Sequence, residues 1–435
     1  LAAEKMQEAL ALQNAGRYAD AELIYREILR EEPRNPDALH CLGVLAYLGK
    51  NYQDALMLID QAIAVAPGYG AALNTRGSIL LALSQPEAAL EAYQQALAVK
   101  PASVATLSNL GNVLLELKRP EDALAFLDRA LALAPDHRDA LYNRANAKLK
   151  LERREDAVAD YRRCVVLYPD HLQAFYNCGI ALQELGRIDE ALESYRQALR
   201  IDPGHAESHY NTALCRLAGG DLRHGFADYE WRWRVAPQVQ SKWNASPRRW
   251  LGKEDLSGKT LLVHSEQGFG DTIQFARFVP EVAKRAARVI FEVQPPLKAL
   301  VGGLGQAIEV IAEGEPYPAY DFDCPLLSLP HALGVSRDTI PPPLMLGIGT
   351  DLMEKWRALL PEAHGLRVGL AWSGRPDHPN DHHRSINLQA LAPLTSAGAT
   401  FISLQKDYKA GERERLKDQG NILDFSEHVR DRLAG

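Results

Sequence analysis

This 435-residue sequence offers no disulfide framework, no membrane-spanning run and no basic face. Its five cysteines, Cys41, Cys164, Cys178, Cys215 and Cys324, are odd in number, scattered and never in a CxxC pair. They read as small buried apolar residues in a reducing compartment, and they exclude a disulfide scaffold or a zinc site of cysteines. Lys and Arg total 49 against 56 Asp and Glu, a net charge of −7, which argues against a nucleic-acid footprint. No apolar run reaches about 18 residues, so no transmembrane helix is expected, and the default address is the cytoplasm. What remains is ordinary for a soluble chain, 46% hydrophobic and 24% charged, with enough length for two or three domains.

What the sequence does have is a period. Prolines fall at 33, 67, 101, 135, 169, 203 and 237, each 34 residues from the last. On the same ruler stand small residues at Ala9, Gly43, Gly77, Gly111, Ala145, Gly179 and Ala213, and bulky ones at Tyr25, Ile59, Tyr93, Leu127, Tyr161, Tyr195 and Tyr229. A further Ala recurs from Ala21 to Ala191, with Gly225 closing that series. The small residues let two helices approach, the bulky ones are expected to fill the space between neighbouring units, and proline ends the second helix. The pattern is identified as the tetratricopeptide repeat, about seven units over residues 1–239, which implies an α-solenoid with a concave groove.

Asn109, Asn143, Asn177 and Asn211 share one register, two residues before the small packing position; Cys41 and Thr75 hold it in earlier units. Two residues turn a helix by about 200°, so the amides are expected to face the groove. There they could bind the backbone of an extended peptide, or they could merely cap and solvate the first helix. After the repeats, residues 240–259 complete a joint carrying Trp231, Trp233, Trp243 and Trp250, whose aromatics are expected to glue the solenoid to the next domain.

Beyond Lys259 short apolar runs alternate with helical spacing: strands at 260–265, 288–293 and 307–312, and a helix over 271–286. This predicts a parallel Rossmann-like unit over 260–345, with ligands at the carboxyl ends of its strands. A linker and helix occupy 346–365, and a second α/β unit starts afresh over 366–435 with strands at "LRVGLAWSG", "TFISLQK" and "NILDF". Its roughly seventy residues are fewer than the five or six strands of such a unit require, so it reads as incomplete.

The turn "HSEQGFGDTIQF" (264–275) decides what the first α/β unit could do. A dinucleotide fingerprint needs a third glycine, and Ile273 stands there, although Glu292 fits the usual acidic position. Asp271 at the head of a helix would be held ionised by the helix dipole and could serve as a base, or it could be only an N-cap. "GFGDTIQFARF" resembles the first strand-turn-helix of heptosyltransferase-like GT-B glycosyltransferases, and "VGLAWSG", "NDHHRSINLQALAPL" and "ISLQK" look like the start of that family's donor half. A repeat solenoid joined to a GT-B enzyme is also the layout of protein O-GlcNAc transferases and bacterial flagellin glycosyltransferases.

The resemblance implies an inverting, metal-independent protein glycosyltransferase with no cofactor beyond its nucleotide-sugar donor. Asp271 would be the catalytic base, in a turn of Gln267, Gly268, Gly270 and Thr272. Ser373, Gly374, Arg384 and Lys406 would meet the donor phosphates, and the four asparagines would grip the polypeptide acceptor. The family's late donor motif, an Asp-Thr-Ser/Gly turn with a nearby His, has no counterpart before Gly435, so much of the nucleotide-sugar pocket is expected to be missing. The cluster His378, Asp381, His382 and His383 lacks the helical spacing of a zinc site and reads as a solvated or phosphate-facing loop. The alternative is a non-catalytic protein-interaction scaffold whose α/β part is a degenerate transferase.

Overall fold

The computed structural model describes residues 2–235, 246–347, 349–360, 365–374, 381, 385–395, 398–409, 411–418 and 422–430. The chain divides into two compact units, 1–240 and 241–435. Fourteen helices form seven pairs in the first: α1 (Ala2–Asn14) and α2 (Tyr18–Glu31), α3 (Pro36–Leu48) and α4 (Tyr52–Val65), α5 (Gly70–Ala82) and α6 (Pro86–Val99), α7 (Val104–Glu116) and α8 (Pro120–Leu133), α9 (Arg138–Lys150) and α10 (Arg154–Leu167), α11 (Leu172–Glu184) and α12 (Ile188–Ile201), α13 (Ala206–Ala218) and α14 (Leu222–Tyr229). Six of the repeating prolines stand just past the second helices, as in Glu31 then Pro33, or Leu133 then Pro135, and Pro237 lies outside the described residues. Proline stops a helix there because it has no amide hydrogen to continue it.

The bulky repeat residue lies between neighbouring pairs, Tyr25 clustering with Ala38 and Cys41 and Tyr93 with Leu110 and Val113. It also packs on the small residue of its own pair, which the sequence does not show. A Cβ added to Gly111 would lie 2.4 Å from Leu127, and one added to Gly179 would lie 2.4 Å from Tyr195. Contacts between pairs come from whole helices, each second helix packing on the next first helix. Successive first helices also approach one another, most closely α7 and α9, whereas second helices do so less. The first helices therefore line the inner curve of the stack.

Between the helices of each pair the chain enters the left-handed region, at Gly16, Lys50, Ser84, Lys118, Glu152, Gly186 and Gly220, with φ from 58° to 84°. This second 34-residue period is invisible to a search for glycine, since four of the seven residues carry side chains. All five cysteines are buried, and burial pushes the Cys164 and Cys215 thiols up to about 11, consistent with inert packing residues.

The aromatic joint is split. Trp231 stacks on His209 of α13, centroids 3.9 Å apart and planes 9° off parallel, and Arg232, which opens the short α15 (Arg232–Val235), lies 4.5 Å over Trp233. These aromatics close the apolar end of the last pair itself. Trp250 belongs to the second unit: it is buried there, its indole N–H donates to the Glu254 carbonyl at 2.9 Å, and its amide donates to the Asp323 carbonyl at 2.8 Å. Trp243 lies outside the described residues.

In the second unit β1 (Thr260–His264) is followed by α16 (Phe269–Phe275), α17 (Val279–Ala283), β2 (Arg288–Val293), α18 (Lys298–Val301), β3 (Ile308–Ala312), β4 (Phe322–Pro325) and α19 (Leu329–Leu333). The remainder holds α20 (Thr350–Leu359), β5 (Arg367–Leu370), α21 (Ala392–Thr395), β6 (Thr400–Ser403), α22 (Glu412–Asp418), β7 (Ile422–Asp424) and α23 (Ser426–Arg430). Two small parallel sheets result, ordered β3-β2-β1-β4 and β5-β6-β7. The helix expected over 271–286 begins earlier, at Phe269, and breaks into α16, a 3-10 turn at Ala276–Phe278 and α17, with Pro280 in the first turn of α17. Strand β4 has no counterpart in the sequence reading, because "FDCP" carries an aspartate and a proline instead of an apolar alternation.

Candidate functional site

The groove of the solenoid is built by the inner faces of α5, α7, α9, α11 and α13. The register asparagines lie on four of these helices, yet they do not simply point outward. Asn109 Nδ2 donates to Asn74 Oδ1 at 3.2 Å, Asn177 Nδ2 to the Tyr142 hydroxyl at 3.1 Å and to Asn146 Oδ1 at 3.0 Å, and Asn211 Nδ2 to the Tyr176 hydroxyl at 3.2 Å. Each bond reaches back 35 residues, or 31 for Asn146, to the preceding first helix. Thr75 shares the arrangement, its hydroxyl 3.0 Å from His40 Nε2. The row is thus a set of rungs that tie neighbouring repeats, with the amide oxygens of Asn109, Asn177 and Asn211 left over.

One rung is open. Asn143 should meet Ser108, but serine is too short to span the gap that tyrosine or asparagine spans elsewhere. Asn143 is 7% exposed and makes no hydrogen bond among the described residues, and the buried Ser108 hydroxyl has no partner either. The buried Ser108 hydroxyl carries the cost of an unmatched polar group, about 1–3 kcal/mol, while the Asn143 amide still reaches solvent and is left available to an incoming hydrogen-bonding group. Below it, Arg144 and Lys148 clasp Asp160 at 2.7 and 2.6 Å, and Arg144 also reaches Asp128 at 2.9 Å. That network holds α9 against α8 and α10 beneath the open rung.

In the second unit the strand order reverses at β1, which has β2 on one side and β4 on the other. Such a reversal opens a crevice at the carboxyl ends of the two strands. The turn 265–268 sits there. Gly268 is the N-cap of α16 with ordinary φ of −70°, and Gly270 lies in the helix with nothing within 4 Å of an added Cβ. Neither glycine is needed for a left-handed turn; they keep the rim open. Asp271 does not cap the helix: it is half-buried and has no hydrogen bond or ion pair among the described residues. Thr272 is buried and donates to Gln294 Oε1 at 3.0 Å, while Gln294 Nε2 donates to the Gln267 carbonyl at 2.7 Å. Across the crevice, Glu266 accepts from the Leu327 amide at 3.0 Å. Gln294 and Glu266, which brace this turn, escaped the sequence reading; their only signal is that each falls just past a strand.

The donor candidates are only partly brought together. Ser373 and Gly374 follow β5, and the amides of Trp372 and Ser373 donate to Gln405 Oε1 at 3.0 and 3.1 Å. Gln405 Nε2 in turn donates to the Ser373 carbonyl and hydroxyl at 2.9 and 2.8 Å, and the Gly374 amide donates to Ser385. These groups are therefore occupied by their own neighbours, above all by Gln405, which the sequence reading passed over for the adjacent Lys406. Lys406 is exposed. Arg384 lies outside the described residues, as do His378, His382 and His383; Asp381 bonds Ser385 and Lys409. Among the described residues no group of three or more His, Cys, Asp or Glu could hold a metal, and no helix is long and apolar enough to cross a membrane.

Comparison with known proteins decides the first unit. The tetratricopeptide repeat family matches residues 6–70, 74–138, 142–206 and 179–223. Residues 6–223 are tetratricopeptide repeats. The matched span holds thirteen of the fourteen paired helices nearly whole, and a repeat solenoid of this kind is a scaffold suited to protein interaction. The match ends before the α/β unit, and so gives no support to a glycosyltransferase domain there. Protein FlbA of Caulobacter vibrioides is 35% identical over 68 residues, 16% of this chain and 11% of that protein's length. Among solved structures, YrrB, described as a tetratricopeptide protein with an unusual peptide-binding site, is 21% identical and covers 42% of this chain and 95% of its own, with a TM-score of 0.36. PilF of Pseudomonas aeruginosa is 20% identical and covers 49% of this chain and 96% of its own, with a TM-score of 0.45.

Proposed function

We propose that the chain is a polypeptide-binding scaffold whose working surface is the inner face of α7, α9, α11 and α13. The observation that carries this reading is the open rung at Asn143. An extended peptide presents alternating N–H and C=O groups, and the Asn143 amide can donate to one and accept from the other. The left-over oxygens of Asn109, Asn177 and Asn211 continue the row on either side. Such a site grips backbone and is tolerant of side chains, as a scaffold for several partners requires. The test is selection of a random-peptide display library on the full chain, followed by binding of the enriched peptides to a variant with all four asparagines changed to alanine. Enriched peptides that lose at least tenfold in affinity support the groove; unchanged affinity sinks it.

A second reading, protein glycosylation with Asp271 as base, rests on one feature: a carboxylate without a partner beside the strand-order reversal, where α/β units bind ligands. A base that takes a hydroxyl proton must be ionised and accessible, and a half-buried, unpaired carboxylate suits that task. Donor binding is the weaker half, since Gln405 already occupies the Ser373 amide. A thermal-shift screen of nucleotide sugars separates the readings: a specific rise in melting temperature that survives Asp271→Ala supports a donor site, and no rise for any nucleotide sugar leaves the scaffold alone.

A further inference from the structure

The first helices that carry a side-chain cap begin in two chemically different ways. Helices α3 and α7 are capped by Asn35 and Ser103, whereas α9, α11 and α13 are capped by His137, His171 and His205. In each of the last three the imidazole Nδ1 accepts a backbone N–H, from Ala140 at 3.2 Å, Ala174 at 3.3 Å and Ser208 at 3.2 Å. An imidazole can do this only while Nδ1 is unprotonated; the imidazolium has two donors and no acceptor. A positive ring at a helix N-terminus also opposes the dipole.

The caps are coupled to the groove. The His171 ring packs 4.8 Å from Tyr142, whose hydroxyl accepts from Asn177, and the His205 ring packs 5.1 Å from Tyr176, whose hydroxyl accepts from Asn211. We propose that the His171 cap makes its repeat an acid-sensitive lock, closed when the ring is neutral and loosened when it gains a proton. The charged groups around it are Arg138, Asp139 and Asp170, with Arg138 and Asp170 paired at 3.5 Å. Burial, with help from Arg138, holds the His171 pKa below its ordinary value. Beside His205, Glu207 stands 3.6 Å from Nε2. His137 has Asp136, Arg138 and Asp139 as sequence neighbours, and Asp136 is bound by Arg163 at 2.8 Å.

The sign follows from the lowered pKa. The stability that the neutral His171 ring contributes is complete above the unfolded value of about 6.5 and is lost as pH falls below it, until the lower folded value is passed. That this loosening weakens polypeptide binding rests on the groove reading; the lock itself does not, and its test uses no ligand. Hydrogen exchange of the full chain, corrected for intrinsic rates, should show protection in α11 falling about tenfold between roughly pH 7.5 and 5. Helix α7, which contains no histidine, is the internal reference and should hold its protection. His171→Asn keeps an acceptor at the cap but cannot titrate, so it should remove the acid loss in α11. His171→Ala should lack the protection at every pH. Equal acid loss in α11 and α7, or the same loss in wild type and His171→Asn, would overturn the lock.

Discussion

The two units hold themselves together by opposite strategies. In the solenoid each contact is made again 34 residues later with a different residue doing the same job: Ile59 on Gly43, Tyr93 on Gly77, Leu127 on Gly111 and Tyr195 on Gly179. In the α/β unit nothing recurs, and in the sheet β3-β2-β1-β4 the two central strands hold both edge strands in place. The first arrangement tolerates local damage, because each pair touches mainly its neighbours. The second spreads damage through its whole sheet.

The largest expected effect tests that contrast. Leu127→Ala and Leu262→Ala each remove a fully buried side chain and should each cost about 2–5 kcal/mol. Hydrogen exchange should show the first loss confined to α7, α8 and the adjoining helices, and the second spread over all four strands of the sheet. Global loss from Leu127→Ala would break the comparison.

Next come two glycines of opposite character. Gly111→Ala drives a methyl into Leu127 and should cost about 1–3 kcal/mol in urea unfolding. Gly270→Ala meets nothing within 4 Å and replaces a poor helix former, so it should be neutral or stabilise by up to about 1 kcal/mol. A loss at Gly270 as large as that at Gly111 would mean the rim of the crevice is more tightly built than it looks.

Smaller again is the cap. The Ser103 hydroxyl accepts from the Thr106 amide and hydroxyl, and Ser103→Ala should lower stability by about 1 kcal/mol at every pH. The smallest effect is a gain. Lys118 holds φ of 58°, where a side chain is strained, and Lys118→Gly should stabilise by a few tenths to about 1 kcal/mol, read as a rise in melting temperature.

Repetition also explains what could be read from sequence. Seven prolines on one ruler average out the noise of any single helix, so the solenoid was legible in full. Its left-handed turns were not, because Lys50, Ser84, Lys118 and Glu152 tolerate a conformation that only glycine advertises. The inter-repeat bonds of Asn109, Asn177 and Asn211 were hidden too, since a register shows which face a residue takes but not what stands opposite. In the α/β unit β1, β2 and β3 are visible as apolar runs, whereas β4 is identified only by its pairing of Leu261 with Phe322 and Val263 with Cys324. Gln405 was missed for a related reason: a neutral side chain just past β6 carries no local signal, and its five side-chain bonds to residues 372, 373 and 407 exist only after folding.

The central claim is that the open rung, not the row of asparagines as such, is where a polypeptide is held. Titration calorimetry of one display-selected peptide against Asn109→Ala, Asn143→Ala, Asn177→Ala and Asn211→Ala partitions the row directly. The open rung predicts that Asn143→Ala loses about tenfold in affinity with its melting temperature unchanged, while the other three lose less in affinity and more in stability. Equal losses of affinity at all four positions, or none at Asn143, would contradict it.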